Sequence, residues 1–222
     1  MLLGALGAIA FNTMVYVGLQ FTEAANSTLF NSIVPVCIVV ISWLAFGEGI
    51  SIRQAAGILI SLCGVLVIVS RGSLSTLREL HINIGDLWIL AAMLLWAVYT
   101  SLLRWRPAEL SAPAFLAAML VFSLPLLLPF YLWELSYRGG FEVTPAILAT
   151  LAYYGTVPSV LAYMMWNRGV AQVGANRAGL IVHLLPIFTI VLSVIFLGET
   201  IAAFHYLGAA CVFSGIWLTT RK

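Results

Sequence analysis

Eight stretches of about 20 mostly apolar residues run through this chain, at 1–20, 27–46, 52–70, 85–104, 112–133, 146–166, 178–197 and 201–220, with short loops between them. A helix of that length crosses the hydrocarbon core of a bilayer, where every backbone polar group must be bonded within its own segment. The pattern predicts an all-α, polytopic integral membrane protein, a helical bundle of eight transmembrane helices. Composition closes off the alternative. Charged residues are 8% of the chain and hydrophobic ones 63%, whereas a soluble domain carries about a quarter charged residues. The first stretch lacks the basic start and small-residue cleavage site of a signal peptide, so it reads as a true span.

Short loops rich in arginine and lysine stay in the cytoplasm. Alternating the loops puts Arg53, Arg104, Arg106, Arg168, Arg177, Arg221 and Lys222 on one side and Arg71, Arg78 and Arg138 on the other. That predicts a multi-pass protein of the cell (inner) membrane with both termini cytoplasmic. A net charge of +2 is too small to point to a nucleic-acid partner. Cys37, Cys63 and Cys211 are an odd, scattered set without C-x-x-C spacing. They form neither a disulfide framework nor a zinc site, and read as packing residues.

The phrases "PVCIVVISWLAFGEGI" at 35–50 and "PIFTIVLSVIFLGETI" at 186–201 share a proline and a Gly-Glu pair at one spacing. Displacing the chain by 151 residues aligns 1–71 with 152–222 without a gap and with thirteen identities. They are concentrated in Gly, Pro and Glu, including Gly18 with Gly169, Pro35 with Pro186, Glu48 with Glu199, and Gly57 and Gly64 with Gly208 and Gly215. Five spans separate equivalent points, an odd number, so the two copies enter the membrane in opposite directions. Inverted-topology repeats of this kind are an architecture of secondary transporters. The expected organisation is a partial first repeat of three helices at 1–71, a loop at 72–84, and a five-helix second repeat at 85–222. A complete ten-helix chain would carry two further helices ahead of residue 1, roughly 65–75 residues with their loops.

With "GDLWILAAMLLWAVYTSLLRW" at 85–105, "AYMMWNRGVAQVGANRAGLIVHLLPIF" at 162–188, "FLGETI" at 196–201 and their counterparts at 17–36 and 46–50, the chain resembles the drug/metabolite transporter superfamily, specifically its EamA-type ten-helix exporters. The resemblance implies a central cavity lined here by spans 1–20, 27–46, 85–104, 146–166 and 178–197. It says little about substrate.

Candidate cavity residues are the polar and aromatic groups on those spans. His183 is the one ionisable residue read as lying well inside a span, which is costly and defaults to a functional hypothesis. It could take a proton near neutral pH or bond substrate, or be a neutral ring bonded to a freed backbone carbonyl. Its repeat partner is Ser32. Asn12, Asn31, Tyr163 and Asn167 can grip a ligand or hold helices together, and Asn12 is equivalent to Tyr163. Trp96 and Tyr99 share one helix face, too deep for an interfacial belt, and could stack on an organic substrate.

Pro35 and Pro186 each stand twelve residues before a terminal glycine, about 18 Å into the span. They are expected to free the carbonyls of Asn31 and Val182, as hinges or as static bends. Glu48 and Glu199 are expected to cap the helices that follow them. Arg168 and Arg177 read as topology anchors, with Arg177 also near the cytoplasmic mouth, where it could attract an anionic ligand. Arg104, Trp105 and Arg106 read as an interfacial anchor.

Enzyme chemistry is not expected. His81, His183 and His205 are scattered, no H-E-x-x-H occurs, and glutamate and aspartate are expected to be absent from the span interiors, which leaves no carboxylate pair there. No metal site, cofactor or P-loop is expected. The only lysine is Lys222, which excludes an intramembrane retinal Schiff base. The chain reads as a secondary transporter exporting small organic metabolites, amino acids or drug-like compounds, by alternating access in a lipid bilayer. Protons are a candidate coupling ion. A passive facilitator is the alternative, ahead of a non-transporting membrane protein.

Overall fold

The structure, a computed structural model, describes residues 1–22, 24–73, 75–76, 82–107 and 109–221. Arg78, His81 and Lys222 lie outside the described residues. Among those described the chain is helical and has no strand. The elements are α1 (Leu2–Gly18), half-helices α2 (Ala24–Asn31) and α3 (Val34–Phe46), α4 (Ile52–Val69), α5 (Ile84–Leu102) and α6 (Ala112–Arg138). They continue with α7 (Pro145–Val173), half-helices α8 (Ala175–Leu180) and α9 (Leu185–Leu197) joined by the 3₁₀ turn Ile181–Leu184, and α10 (Ala203–Thr220). Each predicted span corresponds to one helix or a pair of half-helices, and among the described residues six helical stretches are long and apolar enough to cross a membrane. The protein is an all-α, polytopic membrane protein. Much of α6, α7 and α9 exposes leucine, phenylalanine and tryptophan, a surface suited to hydrocarbon rather than water.

Helix starts follow local chemistry. Ser51 and Gln54 close a capping box on α4, and Asn83 and Asp86 close one on α5. Ser111 and Thr144 accept from the first turns of α6 and α7.

The glutamates depart from their expected role. α3 ends at Gly47 (φ 67°) and α9 at Gly198 (φ 68°), both in the left-handed region that favours glycine. The Glu48 N–H then donates to the Ser42 carbonyl at 3.2 Å and the Glu199 N–H to the Ser193 carbonyl at 3.4 Å, bonds that take up carbonyls of the last turn behind the left-handed glycine. Both residues finish the helix behind them through their backbone. The helices ahead begin at Ser51 and Ala202, and the Glu48 carboxylate instead pairs with Arg104 at 2.8 Å.

The prolines also differ from expectation. Each is the second residue of a half-helix, where its missing N–H has no intrahelical acceptor to lose. The chain breaks ahead of it, and the Val182 carbonyl is taken by the Leu185 N–H.

Helices α4 and α10 pack most closely. A Cβ built on Gly64 would lie 2.6 Å from the Gly208 carbonyl oxygen, and one on Gly208 would lie 2.7 Å from the Gly64 oxygen. Gly57 and Gly215 exchange the same close approach two turns away. Without side chains at these four positions the backbones touch, the usual route to helix association in lipid.

Asp86, just inside the fourth predicted span, corrects the expectation that carboxylates stay out of the interior. It is 1% exposed. It accepts from the Thr22 hydroxyl, from Asn26 Nδ2 at 3.5 Å and from the Asn83 N–H at 2.9 Å. Three donors match the acceptor-only valence of a carboxylate, and they tie the α1–α2 turn to the start of α5. Asp86→Ala should cost about 2–3 kcal/mol by orphaning those donors. Its apparent melting temperature should fall by about 5 °C or more, with Asp86→Asn intermediate. An unchanged thermal unfolding curve in detergent would remove Asp86 from the scaffold.

Candidate functional site

The predicted residues fall into two clusters. The first is centred on Trp96 of α5. Its ring lies 4.6 Å from Phe11, 5.2 Å from Tyr99 and 5.4 Å from Trp166 by centroid, and meets Tyr163 edge-on at 5.5 Å. These separations are those of attractive aromatic pairs. The two tyrosine hydroxyls and the Trp166 N–H find partners. Tyr99 donates to Asn167 Oδ1 at 2.7 Å, Trp166 Nε1–H donates to Thr100 Oγ1 at 3.2 Å, and Asn12 Nδ2 donates to the Tyr163 hydroxyl at 3.0 Å. Tyr163 donates in turn to the Gly7 carbonyl.

Local backbone explains why Gly7 is available. Residues Ala5–Ala10 of α1 are π-helical, an arrangement that displaces backbone bonding and recurs at functional sites. The Ala8 carbonyl accepts from Asn12 at 3.0 Å, and a Cβ on Gly7 would stand 2.7 Å from the Tyr99 ring. In α7 the π-helical segment is Val157–Leu161, within the stretch equivalent to Ala5–Ala10 after the 151-residue displacement.

The second cluster surrounds His183 in the turn between α8 and α9, where it is fully buried. Its Nε2 lies 2.9 Å from the Ser32 carbonyl oxygen and its Nδ1 2.7 Å from Ser61 Oγ. A carbonyl only accepts, so Nε2 carries a proton, and when the ring is neutral Nδ1 accepts from the Ser61 hydroxyl. The freed carbonyl that meets the ring is that of Ser32, one residue beyond Asn31. Asn31, Ser32, His183 and Pro186, with Thr28 and Val65, line a small gap beside the ring with 170 Å³ of empty space.

Asn12, Trp96, Tyr99, Tyr163 and Asn167 therefore converge, and Asn31, Ser32 and His183 form a separate group at the two helix breaks. Pro35 is fully buried at its break. Phe11, Thr100, Trp166 and Ser61 join the clusters unannounced. Phe11 and Trp166 each immediately precede a recognised amide, Asn12 and Asn167. Ser61 is a single small residue in an apolar run and carries no signal of its own.

A multi-pass helical bundle with broken helices and an aromatic–amide core has the make-up of a membrane transporter. The chain belongs to the EamA-like transporter family, which matches residues 1–70 and 83–221. It is 31% identical over 219 residues to the uncharacterized transporter YetK of Bacillus subtilis, covering 97% of this chain and 66% of that one. It is 27% identical over 228 residues to a probable terminal-alkyne amino-acid exporter of Streptantibioticus cattleyicolor, covering 100% and 72%. A probable amino-acid metabolite efflux pump of Salmonella typhimurium is 25% identical over 181 residues, covering 78% and 59%. One solved crystal structure shares the fold, with a TM-score of 0.76 and 19% identity over 98% of this chain and 74% of that one. The chain spans about two thirds of the length of these relatives.

Proposed function

We propose that this membrane transporter exports small organic solutes, amino-acid-like or drug-like, by alternating access between two inverted halves at 1–71 and 85–222, in the inner membrane with both termini cytoplasmic. The observation that carries the reading is a set of self-meetings. Asn12 bonds Tyr163 and Ser32 bonds His183, each residue contacting its own repeat counterpart 151 positions away. Near a two-fold axis a residue meets its equivalent, and off the axis contacts exchange reciprocally. Gly57 with Gly215 and Gly64 with Gly208 exchange in that way. The amino-acid names of two relatives support the solute class.

Reconstitution of the full-length form in proteoliposomes, with labelled phenylalanine and toxic analogues under and without a pH gradient, tests this. Absence of flux under every gradient would overturn it.

His183 is the proposed proton-linked group, with no acid or base among the residues lining the gap beside it. His183→Gln keeps a donor for the Ser32 carbonyl and an acceptor for Ser61. It should stay folded, transport about fivefold or more slowly, and lose any dependence on pH between about 6 and 8. Kinetics matching the parent across that range would end the role of His183.

A further inference from the structure

Where α3, α5 and α7 finish and α8 begins, a vestibule opens to solvent with about 810 Å³ of empty space. Glu48, Thr100, Ser101, Arg104, Arg106 and Gly174 are among its lining residues. Its charges are unequally committed. Arg104 is held by Glu48 at 2.8 Å and lies 4.3 Å over the Phe46 ring. Arg106, half-buried, makes no ion pair among the described residues. The polar atoms beside it are also short of partners. Ser101 is 2% exposed and its hydroxyl has no hydrogen bond. One turn inward from the lining residue Val170, Asn167 is 2% exposed, and its Nδ2 is unpartnered although its Oδ1 accepts from Tyr99.

A buried donor left unbonded costs about 1–3 kcal/mol. Here there are two such groups: Ser101 shares the lining with the uncommitted Arg106, and Asn167 belongs to the Trp96 cluster. Resting on the transporter reading above, we propose that this vestibule captures the carboxylate of an amphiphilic solute. Arg106 pairs with the carboxylate, Ser101 donates to it, and the apolar part faces the aromatic cluster. Glu48, Arg104 and Arg106 together leave the vestibule one positive charge, which favours a carboxylate and disfavours an amine lacking one. Arg106 therefore does more than anchor the helix end in the interface, and Arg177 is not among the vestibule's lining residues. A lipid phosphate offers the same oxyanion chemistry, so lipid composition enters the test.

The test is direct binding to the full chain in phosphatidylcholine nanodiscs, with labelled phenylacetate and phenethylamine as probes. Phenylacetate should bind saturably and phenethylamine at least about tenfold more weakly, the factor that 1.4 kcal/mol gives. Arg106→Gln should weaken phenylacetate about tenfold or more, Arg106→Lys should recover part of the loss, and Ser101→Ala should weaken it about threefold. All three variants should melt with the parent. No saturable phenylacetate binding, equal binding of the amine, or an Arg106→Gln affinity within about twofold of the parent each overturns the proposal. So does displacement of phenylacetate by phosphatidylglycerol in the disc, which would assign the site to a lipid headgroup. Solute flux in proteoliposomes without phenylacetate binding removes the vestibule alone. Binding without flux of any solute removes the transport reading instead.

Discussion

Gly57→Leu is expected to strip the protein of its folded form in detergent, with loss of the monodisperse peak on size exclusion at temperatures the parent survives. A Cβ at Gly57 would fall 2.6 Å from the Gly215 carbonyl oxygen and closer still to Thr219 Oγ1. The carbonyl belongs to helical backbone and cannot rotate aside. Helices α4 and α10 must separate, and separation at Gly57 opens the matching approach of Gly64 to Gly208. In lipid no hydrophobic force restores the contact, because hydrocarbon is as apolar as leucine. Overpacking one such site costs about 1–3 kcal/mol; two coupled sites push the loss to about 3 kcal/mol or more. Ser61 lies one turn along α4, close against Gly215 and bonded to His183, so the same displacement pulls the histidine cluster apart. Gly215→Leu should reproduce the defect from the other helix. Gly169→Ala, with nothing within 4 Å of the new Cβ, should leave the melting curve unchanged. A Gly57→Leu protein melting with the parent would mean that the seam does not hold the fold.

The same glycines show what was legible before any coordinates. Displacement alone aligns Gly57 with Gly208 and Gly64 with Gly215, while their contacts run crosswise, Gly57 to Gly215 and Gly64 to Gly208. Apolar length likewise marked the spans, since lipid imposes a minimum on it. The breaks at 32–33 and 181–184 were half visible. Proline announces that a helix cannot run through, but whether the chain kinks or restarts depends on what receives the freed groups. Here the receiver is His183, whose partner Ser61 comes from a helix far away in sequence. The glutamates misled for a related reason. Glu48 stands where a helix begins in sequence, yet Ser51 and Gln54 already satisfy that start, and Arg104 arrives from the 3₁₀ turn after α5 only once the bundle is packed. Asp86 was passed over because it sits at a span's edge, where a carboxylate normally meets water. Its burial comes from the α1–α2 turn folding over it. The clusters were legible as residue types, and their partners were not, because hydrogen bonds across 60 to 156 residues leave no local trace.

Trp96→Ala should have the largest functional effect. Trp96 touches Phe11, Tyr99, Tyr163 and Trp166 at once, so it joins α1, α5 and α7. Removing a fully buried indole costs about 3–5 kcal/mol when its surroundings cannot collapse, and the half-buried Trp96 sets that as the upper bound. Collapse is resisted here because the Tyr hydroxyls and the Trp166 N–H are fixed by Asn167, Asn12, Gly7 and Thr100. Lower stability alone would not separate a wall that meets substrate from one that holds helices together. Trp96→Phe makes the distinction, since it keeps a ring in the cluster and loses only part of the stacking area. Rates are then taken per folded molecule in proteoliposomes. If the indole stacks on the solute, Trp96→Phe should raise KM about three- to tenfold, while Trp96→Ala should lower kcat/KM about a hundredfold, near 2.7 kcal/mol. If it is only packing, both variants should transport at the parent's rate once corrected for folded protein, and the aromatic cluster would cease to be the binding wall. Tyr163→Phe supplies the complementary measurement. It leaves the edge-on contact with Trp96 and deletes the hydroxyl that links Asn12 and the Gly7 carbonyl to α7. In a transporter whose halves rock about this link, kcat should fall while KM stays near the parent, because the lost contact lies between the halves rather than on the solute.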